Sequence, residues 1–367
     1  MKITDIALIR ACLPLDPPFD AAWDPVPRTS FTATIVKVST DEGIVGYGSG
    51  DTMDGLEPFT ELFLGQDPFA IARHVRALET VSFHAGRYWP LEAAIWDVIG
   101  KALGVPVAHL FGGALDGLPV YASTGRLLPR SARVESILEL KERGFKAAKI
   151  RISASDIDAG VAIVHSVREA VGDDMELMVD LNQSWRMAGD VRSSLDPVEV
   201  RRLATALAEA RVFWLEEPLP LDDVTGLRAV RDATGMRVAG GEMVRTFSEL
   251  VDLVMADVLD VYQPDVVLSV GMLRTRTLAE LALARNRSFT PHTWTNGIGL
   301  LANLHVTAGV GGGPFLEFPI DPPVWTEERR DFMLSEPVTV GQDGILRVPQ
   351  GPGLGFEIDT DRLTALA

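Results

Sequence analysis

The chain has 367 residues, 47% of them hydrophobic and 23% charged, and a formal net charge of −17. This acidity argues against nucleic acid or an anionic membrane as a partner, and it requires any anionic substrate to find local positive charge from a metal, Lys or Arg. The single cysteine, Cys12, excludes an intrachain disulfide and points to a reducing, cytoplasmic location.

The N-terminal stretch MKITDIALIRACLPL carries Asp5 and Arg10 inside its apolar pattern, so it reads as a strand and not as a signal peptide. Phe31 to Ser39 and the segment GIVGYGSG read as two further strands, with Asp41-Glu42-Gly43 as the turn between them. The proline-rich stretch from Pro14 to Pro27 is expected to be a long loop of the kind that serves as a lid. Residues 55–110 read as helical. Within LEAAIWDVIGKAL, the residues Leu91, Ala94, Ile95, Val98 and Ile99 follow the helical period. No apolar run reaches the roughly 18 residues that a membrane span needs.

From Val120 strands and helices alternate. The predicted strands are Val120–Ser123, Ala148–Ile152, Leu177–Leu181, Val212–Leu215, Arg237–Gly240, Val258–Tyr262, Ser288–Thr290 and Phe315–Phe318. Helical runs such as VESILELKERG separate them, which favours a parallel barrel over an open sheet. After Ile320 the alternation stops, and GILRVPQGPGLGFEID is expected to form a hairpin and a glycine-rich turn that return to the N-terminal module. The expected organisation is a capping unit over 1–118, a barrel over 119–320 and a returning segment over 321–367.

Asp180, Glu216, Glu242, Asp265, His292 and Glu317 lie at or near successive strand ends, with gaps of 36, 26, 23, 27 and 25 residues. A (β/α)8 barrel of ~250 residues repeats about every 30 residues and gathers its strand ends at one mouth. The spacing therefore predicts one polar cluster. Asp180, Glu216 and Glu242 end the third to fifth strands, and three hard oxygen donors favour Mg²⁺, or Mn²⁺, over Zn²⁺. Asp265 and His292 end the next two strands, as expected for a general base whose tautomer a carboxylate fixes. Lys149 and Arg151 flank Ile150 and so share one strand face, where inward cations need the acids as partners. No P-loop, dinucleotide fingerprint or nucleophile elbow is present.

The motifs K-x-R (149–151), D-x-N (180–182), E-E-P (216–218), G-G-E (240–242), Q-P-D (263–265) and the strand-seven His, in this order, resemble the enolase superfamily and within it the mandelate racemase subgroup. The resemblance spans essentially the whole chain. It implies a modified TIM barrel, (β/α)7β, with an α+β capping domain built from both chain ends, and a homo-oligomer. It also implies the design established for the superfamily, in which a Lys or His base removes the proton α to a carboxylate and Mg²⁺ stabilises the ene-diolate. Carried over, Asp180, Glu216 and Glu242 would bind Mg²⁺. His292, oriented by Asp265, would be a base. A protonated Glu317 would hydrogen-bond the substrate carboxylate, and Lys149 would add positive charge beside it.

Relatives commonly have Lys where Arg151 stands, and arginine is a poor base at neutral pH. A one-base reaction is therefore favoured: syn dehydration of an acid sugar, an aldonate or aldarate, to a 2-keto-3-deoxy acid. Lys149 remains a possible second base. The alternatives are racemisation or epimerisation, cycloisomerisation of a sugar lactone, a metal-dependent hydrolase on the same fold, or a barrel that binds a sugar acid without turnover. Candidate substrate-contacting residues are Trp23, Asp51, Thr52, Arg87, Tyr88, Arg126, Asn182, Thr293 and Trp294, with Trp23, Thr52, Asn182 and Trp294 foremost. Many are polar, which suits a hydroxylated substrate.

Overall fold

The computed structural model describes residues 1–185 and 189–367. The chain begins with an antiparallel sheet of β1 (Ile3–Phe19), β2 (Arg28–Thr40) and β3 (Val45–Ser49) in the order β1-β2-β3. The expected Pro14–Pro27 loop is only partly a loop. β1 runs on through its prolines to Phe19, with Pro14 opposite Ser30 and Phe19 opposite Arg28 across a register shift. β1 is an edge strand, where a residue without an N–H leaves no ladder bond unmade. The irregular turn is thereby confined to residues 20–27.

A 3-10 turn (Glu57–Leu62) and helices Ile71–His84, Trp89–Leu103 and Val107–Leu110 follow. Trp89–Leu103 is not amphipathic in practice, since every residue from Trp89 to Gly100 is buried. The sheet presses onto its backbone: a Cβ at Gly46 or Gly48 would collide with the carbonyl oxygens of Ala94 and Pro90, so β3 needs glycine there.

The barrel strands are β4 (Gly117–Ser123), β5 (Ala147–Arg151), β6 (Glu176–Asp180), β7 (Val212–Glu216), β8 (Arg237–Gly240), β9 (Val261–Tyr262), β10 (Ser288–Phe289) and β11 (Leu316–Pro319). All pair in parallel in the order β10-β9-β8-β7-β6-β5-β4-β11. Among the described residues seven longer helices, from Arg130–Glu142 to Gly297–Val310, link them, giving (β/α)7β. The gap between β10 and β11 is bridged by the Gly313 N–H donating to Phe289 O (2.9 Å) and the Thr293 hydroxyl donating to Glu317 O (2.9 Å).

The two-residue period of a strand sorts the barrel interior. Tyr121, Ala147, Met178, Trp214, Ala239 and Val261 form an apolar floor. Two residues further along their strands, Ser123, Lys149, Asp180 and Glu216 stand above it. The predicted C-terminal hairpin is not formed. β12 (Ile345–Arg347) pairs antiparallel with β4, because the first barrel strand extends far enough at its start to offer an edge. The tail then reaches the N-terminal region: Leu354 N–H donates to Asp97 (2.8 Å) and Cys12 N–H to Leu366 O (2.8 Å). Among the described residues no helix is long and apolar enough to cross a membrane.

Candidate active site

Strand register brings the polar residues together. Ser123 sits beside Lys149, Arg151 beside Asp180, and Asp180 beside Glu216. Just past two of these strand ends the backbone turns through left-handed conformations at Asn182 (φ 49°) and Glu217 (φ 47°). Such conformations cost about 1–2 kcal/mol each for a residue with a Cβ.

Lys149 is fully buried and ties three acids to itself. Its Nζ contacts Glu216 at short range, Glu317 at 2.9 Å and Asp180 at 3.3 Å. Burial disfavours its charge, but Glu216, Glu317 and Asp180 overrule burial and raise its pKa. Arg151 donates to Asp180 (2.6 Å), to Asn182 and to Thr124 O (3.1 Å), and its guanidinium lies 4.4 Å from the centre of the Trp23 ring. Burial opposes its charge as well, and Asp180 foremost raises its pKa. These acids thus favour the charged form of both groups.

Burial pushes the Glu216 carboxyl up to about 8, with Lys149 pulling the other way. Asp180 is lowered despite burial by Arg151 and Lys149. Burial would also raise Glu317, but Lys149 and His292 bring it down to about 2. Glu317 accepts from Ser123 Oγ (2.7 Å) and Thr293 N–H (2.6 Å). These donors and the Lys149 ammonium favour its carboxylate form when no substrate carboxylate faces it.

His292 Nδ1 lies 3.0 Å from Asp265 Oδ2, and the other Asp265 oxygen accepts from Val267 N–H (2.9 Å) and Asn303 Nδ2 (3.0 Å). A carboxylate only accepts, so Nδ1 carries a proton and Nε2 is left for chemistry. Nε2 stands 3.8 Å from Glu242 Oε2. Burial works against the imidazolium, yet Glu242, Glu317 and Asp265 raise the pKa to about 9.

Among the described residues no three His, Cys, Asp or Glu side chains stand at metal-holding spacing. Lys149 draws Asp180 and Glu216 towards itself instead. The donor chemistry nevertheless fits a hard divalent cation. Asp180, Glu216, Glu217, Glu242, Asp265 and Glu317 are all buried, and among the described residues they outnumber the buried basic groups of the site, Lys149, Arg151 and His292. Glu242 Oε2 is buried with no hydrogen-bond partner, and burial raises the Glu242 pKa. A divalent cation would neutralise this excess.

A cavity of about 290 Å³ opens beside His292, lined also by Trp23, Arg28, Arg151, Asn182, Glu242 and Trp294. Thr52 is not there. With Asp51, Arg87 and Tyr88 it lines a separate cavity of about 770 Å³. Arg126 is turned to Asp321 (3.0 Å) and Pro322 O (2.8 Å), and Thr293 is spent on Glu317. Sequence reasoning missed Phe31, Trp185 and Trp325 in the lining, and Gln263, whose amide donates to Glu216 (2.9 Å). Gln263 lies in a recognised motif, so its role was within reach; Trp325 follows the barrel where no periodicity marks it. The cavity wall is more aromatic than expected: Trp294 stacks on Phe19 and Trp325, with ring centroids 5.8 Å apart in both pairs.

Comparison with known proteins places this geometry. The profile of the mandelate racemase / muconate lactonizing enzyme N-terminal domain matches residues 3–112, and the enolase C-terminal domain-like profile matches residues 132–362. The chain belongs to the mandelate racemase/muconate lactonizing enzyme family of the enolase superfamily. It is 28% identical to D-galactarolactone cycloisomerase of Agrobacterium fabrum, covering 99% of this chain and 98% of the relative. It is 29% identical to D-xylonate dehydratase of Haloferax volcanii, covering 90% and 84%. A magnesium-bound racemase from Streptomyces coelicolor superposes with a TM-score of 0.85 at 26% identity, covering 100% of this chain and 99% of that one. The curated relatives thus comprise dehydratases, cycloisomerases and racemases.

Proposed function

We propose that the protein removes the proton α to the carboxylate of an acid sugar and expels an oxygen substituent from the β-carbon on the same face. In the simplest case the substituent leaves as water and the product is a 2-keto-3-deoxy acid. The observation that supports this reading is the contrast among the basic groups: Lys149 and Arg151 are bonded to buried carboxylates, whereas His292 Nε2 stands beyond hydrogen-bond distance of Glu242 and beside the cavity.

Asp180, Glu216 and Glu242 would hold Mg²⁺, or Mn²⁺, with Glu242 offering its unpartnered oxygen. The ion, when bound, supplies Lewis-acid stabilisation of charge developing on the substrate carboxylate. Lys149 adds a fixed positive charge close by. His292 Nε2 takes the α-proton, and the C–H electron pair moves towards the carboxylate as the ene-diolate. As that pair returns, the bond from the β-carbon to oxygen breaks, and His292 gives its proton to the departing oxygen. The enol left behind takes a proton from solvent at the β-carbon and releases its hydroxyl proton to solvent, becoming the ketone. Asp265 holds the imidazole in one tautomer through both transfers.

Proton NMR in D₂O, with Mg²⁺ and a panel of aldonates and aldarates, tests this. Loss of an α-proton signal with new C3 methylene resonances is expected. Exchange at the α-position with no methylene would instead indicate epimerisation and sink the elimination reading.

The aromatic wall favours one second reading. Trp23, Trp294, Trp325 and Phe31 offer ring faces and few hydrogen bonds to a polyhydroxylated chain. A ring-closed sugar acid presents a C–H face to such a wall, and its ring oxygen would be the β-leaving group. That is cycloisomerisation by the same one-base steps, and with sugar-acid lactones and anhydro sugar acids added to the NMR panel it would appear as an isomer formed without loss of water.

Arg151→Lys separates one-base from two-base chemistry. Lysine keeps the charge but loses the planar fork shared by Asp180, Asn182 and Thr124. Elimination is expected to slow about tenfold, from loss of a charge-assisted hydrogen bond worth about 1.5 kcal/mol. Deuterium incorporation with inversion at the α-carbon, absent in the parent, is expected to appear. An unchanged rate and product would remove the basis for assigning a single base.

A further inference from the structure

We propose that Trp185 is a positioning residue for Glu242, fixing one carboxylate oxygen so that the other faces a cation. The proposal rests on the reading of Asp180, Glu216 and Glu242 as a divalent-cation site.

The Trp185 indole Nε1 donates to Glu242 Oε1 at 2.7 Å. The opposite oxygen, Oε2, is buried, accepts from nothing and stands 3.8 Å from His292 Nε2. The two oxygens of one carboxylate are thus divided between a neutral hydrogen-bond donor and a position that His292 faces from beyond hydrogen-bond distance. The terminal torsion of a glutamate is broad, so an unrestrained Glu242 carboxylate would rotate freely. One directional donor removes that freedom before any ion arrives.

The type of donor matters. Asp180 and Glu216 are held by Lys149, and Asp180 also by Arg151, cations that compete with a metal for the same oxygens. An indole N–H donates only and carries no charge, so it orients Glu242 without opposing a second positive charge. Trp185 and Met243 line both the 290 Å³ cavity beside His292 and a larger groove of about 910 Å³ outside it, so the indole stands in the partition between them. Trp185 follows β6 while Glu242 follows β8, and the bond therefore ties two loops of the barrel mouth together.

Outer partners of metal ligands typically change metal affinity 10–100-fold when removed. Isothermal titration of the substrate-free protein with MgCl₂, and separately MnCl₂, is expected to show binding weakened about 10–100-fold in Trp185→Phe. Phenylalanine keeps an aromatic ring in the partition and removes the donor, with some loss of ring volume. The thermal unfolding midpoint of the metal-free variant, measured alongside, is expected to stay near that of the parent. Trp185→His returns an N–H and is expected to recover part of the affinity, which a purely space-filling role would not produce. Addition of Mg²⁺ is also expected to change the tryptophan emission of the parent, and that change is expected to be lost in Trp185→Phe. Equal affinity in parent and Trp185→Phe would overturn the positioning role while leaving the cation site intact. Absence of Mg²⁺ and Mn²⁺ binding in the parent would overturn the cation site, and the positioning role with it.

Discussion

Asparagine at position 292 is expected to lower the rate of α-proton removal by about 10²–10⁴-fold, the range a positioned general base contributes. Substrate and Mg²⁺ binding should change little, because Asn fills similar space and the Asp180, Glu216 and Glu242 carboxylates are untouched. A D₂O exchange assay reads the chemical step directly. The pH dependence carries the same information. Glu242 and Glu317 raise the His292 pKa to about 9, against the effect of burial. In the resting site the imidazole is therefore protonated at neutral pH, and the fraction able to accept a proton grows as pH rises towards 9. The rate should climb with pH on that limb. A divalent cation on Glu242 cancels part of the field that holds the proton, so saturating Mg²⁺ should move the limb to lower pH. Any residual activity of His292→Asn should lack the limb. A limb that persists in the variant would assign the titration to another group and remove His292 from the role of base.

The parts of the site that sequence made legible are those that strand periodicity controls. Asp180, Glu216 and Lys149 lie inside the barrel because each stands two residues beyond a floor residue, Met178, Trp214 or Ala147, and that alternation is visible in the chain. The Asp265–His292 pair was likewise readable from consecutive strand ends. What periodicity does not carry was missed. The cavity wall is assembled from the turn after β1, the loop after β10 and the segment beyond the barrel, and no local pattern says that Trp23, Trp294 and Trp325 meet. Thr52 and Asn182 looked equivalent as polar loop residues, yet only Asn182 faces the cavity of His292. The run from Pro14 to Phe19 was misjudged because composition alone does not distinguish a loop from an edge strand with no bonds to lose on one side. The state of Glu317 depends on Ser123 and Lys149, residues 194 and 168 positions away, which only folding brings within reach.

Methionine at position 149 is expected to destabilise the metal-free protein by about 3–5 kcal/mol, the usual consequence of deleting one partner of a buried ion pair. Lys149 is wholly buried and contacts Asp180, Glu216 and Glu317 together, so its loss leaves three carboxyl groups facing one another with Arg151 compensating Asp180 and His292 acting on Glu317 from further off. The cost is not fixed, because a divalent cation can take up the same oxygens. A ligand that binds only the folded state at 100 times its Kd contributes about 2.7 kcal/mol. In the parent that gain is offset, since Mg²⁺ must bind Asp180 and Glu216 beside an ammonium that already holds them. In Lys149→Met it is not. Thermal unfolding with and without Mg²⁺ should therefore show a larger Mg²⁺-induced rise in midpoint for Lys149→Met than for the parent, starting from a lower value in EDTA. Turnover should remain low even where stability is recovered, because the fixed positive charge beside the substrate carboxylate is gone. Equal Mg²⁺-induced shifts in the two proteins would mean that Lys149 and the cation do not share these oxygens, and the assignment of Asp180 and Glu216 as ligands would then have to be withdrawn.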